Sequence, residues 1–578
     1  MTTSAKKPET PGYVADYDAA LAELDAAKDD WARTGIAERI RILSDISDGI
    51  MRVAEGWAET AARRKLIPPQ SPLAGEEWIS GPYATLTSVN ALKKTLAKMT
   101  GKTFLDRLLK RQTVTGQLAI QVLPVTLWDR LLLSGISAEV WMQKGVSETN
   151  LKANAATAYD IPADERKGKV ALILGAGNIA SIPPLDVLHK LFIENQVAIL
   201  KMNPINDYLA DYLSAALKPL IDRDALRIVR GDGQAGAYLA DHPLVEELHV
   251  TGAAATHDAI VWGIGAEAVK NRKAGKPKNT RRFTSELGSV SPTIVVPGPW
   301  SAADIRFQAE NIATQKLHNS GHNCIACQVL IMPKGWDKGA ALMDAVRDVA
   351  AGVQRPAYYP GTDERLATFG EHGKSVEQVD RGEASPPLTI ASMTRDKVNS
   401  RTEVFGPALG TVEIDAASAE QFLKDAVDYA NRNLGGTLGA NILIHPATER
   451  QIGRVRFEEI LAGFRYGSIA INGWSGLGFL IATCPWGAFP GHTIEDVQSG
   501  IGTVHNAFML EQTERSVVRA PWRPFPRNLL SGEFSMLPRP PWFVTNRRQH
   551  VLGRLLTTFE HRPGWRHVPR IFINALRG

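Results

Sequence analysis

Cysteine is scarce: Cys324, Cys327 and Cys484 are the three in 578 residues. That excludes a disulfide framework and predicts reduced thiols. Cys324 and Cys327 form a CxxC, but no second CxxC or HxxxH accompanies it, and zinc needs about four ligands, so no metal centre is expected. Also missing is any run of roughly 18 to 20 apolar residues, and the opening MTTSAKKPETPGYVADYD lacks the apolar core of a secretion signal. The chain reads as an intracellular, cytoplasmic protein. A basic body is lacking as well. Residues 521–578 hold ten arginines, no lysine and only Glu533 and Glu560, so this tail carries +8 of a net +5 and the remainder is slightly acidic. A nucleic-acid enzyme with a basic cleft is thereby disfavoured, and no nucleic-acid partner is expected.

What is present is the balance of an ordinary globular protein, 44% apolar and 22% charged, at a length sufficient for two or three domains. From Val14 to Lys65 the apolar residues fall at helical spacing, Leu21, Leu24, Ala27 and Trp31 and then Ile40, Leu43, Ile46 and Ile50, which predicts two amphipathic helices. AEVWMQKGV near residue 140 reads as a short strand. Beyond it, apolar runs (VALILGA, VAILKMN, LRIVRGDG, ELHVTGA, PTIVVPG, QVLIMP) alternate with helix-like segments. Such alternation indicates parallel βαβ units, hence an α/β fold.

Two turns resemble a dinucleotide fingerprint, GAGNIA (175–180) and GDGQAG (231–236). The fingerprint needs a helix opening directly from the turn and an acid at the end of the next strand to grip ribose hydroxyls. After the first turn, Pro183 and Pro184 predict a helix start delayed to about Leu185, and the next strand ends on Lys201, a cation. The second turn opens a plausible helix, but its following strand ends HVTGAA, without an acid. A conventional Rossmann reading fails at both.

These departures match the aldehyde dehydrogenase superfamily, which the chain resembles over most of residues 14–520. Its motifs stand in order: Asn178, Lys201, the turn at Gly233, Thr251-Gly252, Glu286 in SELGS, Cys324 in NSGHNC, Glu403 and Phe405 in TEVFGP, and Ser499-Gly500 in QSGIG. The resemblance implies an α/β, Rossmann-like cofactor domain (1–135 and 153–285), an α/β catalytic domain (286–484) and bridging oligomerisation strands (136–152 and 503–519). A C-terminal extension (520–578) lies beyond the pattern. It implies Cys324 as nucleophile, Asn178 as oxyanion donor and Glu286 as general base. NAD or NADP would be held by Lys201, Gly233, Gly252, Ala253, Glu403 and Phe405. Pro204 stands where many relatives carry an acid that repels a 2′-phosphate, which leans the expectation slightly toward NADP.

The implied reaction is NAD(P)-dependent oxidation of an aldehyde to a carboxylic acid through a thiohemiacetal and a thioester. Because GAGNIASIPP departs from the family's usual loop, a CoA-linked acylating dehydrogenase or acyl-CoA reductase is the alternative, and a non-catalytic relative is the third. Cys327 and Cys484 read as packing residues and His322 as a structural histidine. TLWDRLLL, the flanks of Cys324 and GWSGLGFL (473–480) are expected around the aldehyde, where Trp474, Leu477 and Phe479 hint at an apolar or aromatic substrate. A homodimer or homotetramer is expected. The Arg, Pro and Trp of the extension suit either an anionic membrane surface or packing over a neighbouring subunit as an extended chain, and the second is preferred because residues 544–560 show no clean amphipathic face.

Overall fold

The computed structural model describes residues 12–394 and 397–578. Its first two helices, Tyr13–Arg33 and Ile36–Arg64, meet at Gly35 and bury the predicted stripes: Leu21, Leu24 and Trp31 on one, Leu43, Ile46 and Ile50 on the other. They join the largest core, where Trp31 packs edge-on against Phe192 and donates its indole N–H to the Leu191 carbonyl at 3.1 Å.

Among the described residues there are two sheets. The six-stranded one runs Gly500–Ile501, Arg282–Leu287, Glu247–Gly252, Val170–Leu174, Val197–Lys201, Leu226–Val229, with every neighbour parallel except the short first strand. Of its inner strands, Val170–Leu174 is wholly apolar and Val197–Lys201 is apolar up to its last residue, and both are buried throughout, as a parallel sheet covered on both faces requires. The chain leaves Val170–Leu174 toward Val197–Lys201 and later returns on the opposite side as Glu247–Gly252. The strand order therefore reverses beside the carboxyl end of Leu174, where open α/β sheets leave a crevice for ligands.

The eleven-stranded sheet has a parallel centre built from Thr513–Arg519, Ser468–Ile471, Gly439–Leu443, Ser291–Val295, Cys327–Pro333, Ala408–Ile414 and Leu388–Ser392. Antiparallel strands flank it, Lys374–Val379 at one edge and Ser137–Met142, Leu118–Leu123 and Lys110–Gln112 at the other. Residues 110–123, grouped by the sequence with the cofactor segment, thus pair beside Ser137–Met142 in the large sheet. Their alternating short strands continue its ladder, a pairing that local pattern does not encode.

Two further expectations are corrected. The helix after the first glycine turn spans Ile182–Leu188 and starts three residues earlier than Leu185, because Pro183 and Pro184 occupy the first turn, where a missing N–H costs no intrahelical bond. The C-terminal extension neither stays extended nor needs a neighbouring subunit to cover. It forms helices Gln549–His561 and Val568–Ala575 and packs on its own chain.

Arg523 and Arg527 both reach the buried carboxylate of Asp304, Arg539 pairs with Glu310 at 2.8 Å, and Asn90 donates to Glu560 at 2.9 Å. Leu552, Phe559 and Ile571 are buried together, each worth about 1.5–3 kcal/mol of transfer free energy. The sequence hid this face because part of it is glycine: a Cβ on Gly553 would strike Trp78, and one on Gly75 would strike the backbone of Gln549. No helix among the described residues is long and apolar enough to cross a membrane.

Candidate active site

A cavity of about 850 Å³ opens at the carboxyl ends of the small sheet's strands, and all nine residues singled out from the sequence line it: Asn178, Lys201, Gly233, Gly252, Ala253, Glu286, Cys324, Glu403 and Phe405. Topology explains the convergence. Asn178 lies in the turn after Val170–Leu174, and Lys201 ends Val197–Lys201. Gly233 opens the helix Gly233–Asp241, Gly252 and Ala253 close Glu247–Gly252 and start the next helix, and Glu286 lies in Arg282–Leu287. Cys324 sits between the tight turn His318–Gly321 and the large sheet's strand Cys327–Pro333, at the join of the two sheets.

Cys324 is partly exposed and hydrogen-bonded to the Glu286 carboxyl group; Cys327 and Cys484 are buried. Burial and the nearby carboxylates push the Cys324 thiol well above its ordinary value, so the resting sulfur is protonated. Glu286 is almost fully buried, and the loss of solvation raises it to about 7, with Asp186 adding to the rise. The Trp486 indole donates to Glu286 Oε1 at 3.0 Å and opposes that rise. Glu286 therefore changes charge near neutrality while touching the one sulfur that faces the cavity among the described residues, which is the arrangement a general base needs.

The Asn178 carboxamide donates one N–H to the His322 carbonyl at 3.0 Å, which holds it against the segment leading into Cys324 and leaves its second N–H for a ligand. Asn319 organises that segment. It adopts left-handed backbone geometry and its amide donates to the carbonyls of His322 (2.9 Å) and Asn178 (3.2 Å). Its side-chain oxygen accepts from Tyr358 at 3.1 Å, Lys65 at 3.3 Å and Arg355 at 3.3 Å. Lys65 also donates to the Asn178 carbonyl at 2.8 Å and pairs with Glu77 at 2.9 Å, and Arg355 pairs with Glu76. A buried ionic cluster thus ties the asparagine turn to the cysteine turn. The sequence offered no sign of it, because a buried charge looks like any other charge until its partners are placed.

His322 is fully buried, bonds Thr362 Oγ1 at 3.1 Å and is held by burial down at about 3. It is neutral and supplies no cation to the thiolate.

At the far end of the cavity Lys201 faces Asp232, which caps the helix Gly233–Asp241 by accepting from the N–H groups of Gln234 and Ala235 at 2.9 and 3.0 Å. An acid does stand near the lysine, then, but in the second glycine turn and not at a strand end. GDGQAG displayed it in plain view. Between these ends, Glu403 is half-buried with its Oε1 atom out of solvent and unpartnered, and is raised to about 8 by desolvation of the carboxyl group and by Glu286. Gly288 makes room for it, since a Cβ there would collide with the Glu403 carboxylate. Gly233 and Gly252 leave the wall open. An orphaned carboxyl oxygen, an open glycine-lined wall, a helix N-terminus and a lysine at a strand end fit an elongated ligand with hydroxyl-bearing sugars and anionic phosphates.

Residues 187–355 match the model of the aldehyde dehydrogenase family. The fold resembles the crystal structure of the aldehyde dehydrogenase KauB from Pseudomonas aeruginosa, at 18% identity and TM-score 0.57, over 87% of this chain and 88% of that one. It also resembles lactaldehyde dehydrogenase from Escherichia coli, at 17% identity and TM-score 0.57, over 87% and 91%. The chain therefore has the aldehyde dehydrogenase superfamily fold, with a C-terminal extension. Among curated proteins, N-succinylglutamate 5-semialdehyde dehydrogenase of Sphingopyxis alaskensis is 25% identical over 49% of this chain and 55% of its own length. Geranial dehydrogenase of Castellaniella defragrans is 25% identical over 43% and 49%. The chain spans about half the length of these curated relatives.

Proposed function

We propose that the protein oxidises an aldehyde to a carboxylic acid with NAD or NADP as hydride acceptor. The observation that carries this reading is the contact between Cys324 and Glu286 within a cavity that also holds Asn178, Lys201 and Glu403. The bound nicotinamide would supply one thing, an acceptor for the aldehyde hydride.

The chain supplies the rest. Glu286, ionised above about pH 7, accepts the thiol proton as the Cys324 sulfur adds to the carbonyl carbon. Asn178 Nδ2 and the Cys324 backbone N–H donate to the oxygen on which negative charge develops. Once hydride has left, the carbon is a thioester of Cys324. Glu286 releases that proton to solvent and takes another from water, the hydroxyl bonds to the acyl carbon, the carbon–sulfur bond breaks to release the acid, and the proton on Glu286 returns to the Cys324 sulfur. In sum, aldehyde, water and oxidised nicotinamide give acid, reduced nicotinamide and a proton.

The presence of a base at the thiol favours water over CoA as acyl acceptor. Lys201 would hold the adenosine ribose, with Gly233, Gly252 and Ala253 beside the phosphates, Glu403 on the nicotinamide ribose and Phe405 against it. Pro204 leans the choice toward NADP, and Asp232 offsets that lean. We further propose the domain division inferred from the sequence, with residues 110–123 reassigned to the large sheet in which they pair, and a homodimer or homotetramer assembled through the strands near 136–152 and 503–519. Reduction of NAD or NADP followed at 340 nm with an aldehyde panel, with and without CoA, tests the reaction. A strict CoA requirement, or no turnover of any aldehyde, would overturn it.

A further inference from the structure

We propose that the pocket for the aldehyde continues from Cys324 into an apolar chamber walled by the C-terminal extension, and that it takes the hydrocarbon chain of a medium- or long-chain aliphatic aldehyde. The proposal rests on the oxidation reading for its reaction, but its cavity stands on separate residues.

A second, smaller cavity of about 50 Å³ reaches Cys324, with Ile179, Ile325, Trp474, Phe479 and Trp486 in its wall. Next to it lies a chamber of about 130 Å³, bounded by Trp128, Leu132 and Leu477 from the body and by Leu537, Leu556 and Phe559 from the extension. Ile79, Leu480 and Trp542 line both, so the two adjoin across these three apolar side chains, the neck of the proposed path. Trp542 belongs to the extension. Residues 537–559 therefore complete a path that begins at the reactive sulfur.

The lining selects the chemistry of the occupant. Among the described residues no carboxylate, lysine or arginine lines the smaller cavity, and its one histidine, His318, is held neutral by burial. The chamber touches three charged side chains, each already engaged. Asp129 accepts from the N–H groups of Val125 and Thr126, Arg539 pairs with Glu310, and Glu560 accepts from Asn90. A polar substrate tail would lose its hydration there without gaining partners, whereas methylenes lose only contact with water. The smaller cavity alone has room for about three to five water-sized groups, so a chain of more than a few carbons must pass the neck. The two cavities in series suit an unbranched chain better than a rigid aromatic ring system.

The test is a series of straight-chain aldehydes from butanal to dodecanal on the full-length protein, together with calorimetric binding of butyrate and decanoate. Each buried methylene should raise kcat/KM about fourfold, the equivalent of ~0.8 kcal/mol, so decanal should exceed butanal at least a hundredfold, and decanoate should bind far more tightly than butyrate. Leu556→Trp, which fills the chamber from the extension side, should compress the decanal-to-butanal ratio at least tenfold. Should that variant fold poorly, the chain-length series and carboxylate binding on the unaltered protein still decide. Equal kcat/KM for butanal and decanal, with equal carboxylate affinities, would overturn the chamber while leaving aldehyde oxidation intact. Tight decanoate binding without oxidation of any aldehyde would support the chamber and overturn the oxidation reading instead.

Discussion

The Trp486 indole N–H donates to Glu286 Oε1 at 3.0 Å, and Glu286 in turn contacts the thiol of Cys324. Strong desolvation, opposed by the hydrogen bonds from Cys324 and Trp486, leaves the carboxyl group at about 7, close to where a base works best at neutral pH. Steady-state turnover should therefore rise with pH through a single ionisation near 7, because only the carboxylate accepts protons. Glu286→Gln should abolish that limb and lower kcat by about 10²–10⁴-fold; an unaltered pH profile in the variant would contradict the assignment.

The same group should cost stability. In the unfolded chain it ionises near 4.5 and in the folded chain near 7. Between those values only the folded state holds the proton, so stability falls as pH rises across that window and stays low above it, by on the order of 3 kcal/mol. Glu286→Gln keeps an oxygen for Trp486 and carries no charge. Thermal unfolding at pH 8 should show it to be more stable than the unaltered protein, with the difference shrinking below pH 5.

Asn178 has one N–H committed to the His322 carbonyl and one free. Removing the amide with Asn178→Ala should lower kcat about 10²–10³-fold, the cost of one oxyanion donor, with little change in KM for the aldehyde. Single-turnover kinetics would check this. A purely structural asparagine would instead give a loss of Tm with kcat largely intact.

Lys201 and Asp232 face each other at the end of the cavity where the proposed cofactor's adenosine would lie. Asp232→Asn removes the anion that faces Lys201 while retaining a side-chain oxygen for the helix cap. The ratio of kcat/KM for NADP over NAD should rise about tenfold, a shift of ~1.4 kcal/mol. No change in the ratio would detach Asp232 from cofactor choice.

Arg523 clamps the extension to the buried Asp304 carboxylate, and that pairing holds Asp304 well below the usual carboxylate range. Arg523→Ala leaves the anion with Arg527 as its cationic partner and with the Ser301 hydroxyl and N–H, and should cost about 2–3 kcal/mol, under the usual loss for a broken buried pair because these partners remain. The sign follows from the depressed carboxyl: its stabilisation is complete above the unfolded value near 4 and is lost as pH falls further. Denaturant melts should show the full deficit at pH 7 and a smaller one below pH 4.

Much of this site was legible because its residues mark strand ends. Asn178 and Lys201 sit after or at the end of a run of buried apolar residues, Gly252 and Glu286 at or near the end of buried strands of mixed polarity, and parallel strands deliver such ends to one edge of the sheet. Cys324 was legible from its neighbours, Asn319 above all, whose left-handed turn needs that short amide. Tertiary pairing was not. Arg355 lies far along the chain from Lys65 and Glu77, and the three acquire meaning only when buried together. The extension was misread for a related reason: Gly75 and Gly553 supply its contact, and glycine leaves no apolar signature in a periodicity.

The most direct measurement mixes the Glu286→Gln variant with aldehyde and NAD or NADP in a stopped-flow spectrometer and then weighs the intact protein. The account predicts that reduced nicotinamide forms slowly, because the Cys324 thiol has lost its proton acceptor, and stops at about one per chain, with an added acyl mass that maps to Cys324 and is absent from Cys324→Ala. Nicotinamide reduction that persists in Cys324→Ala, or no covalent acyl group in any variant, would contradict it.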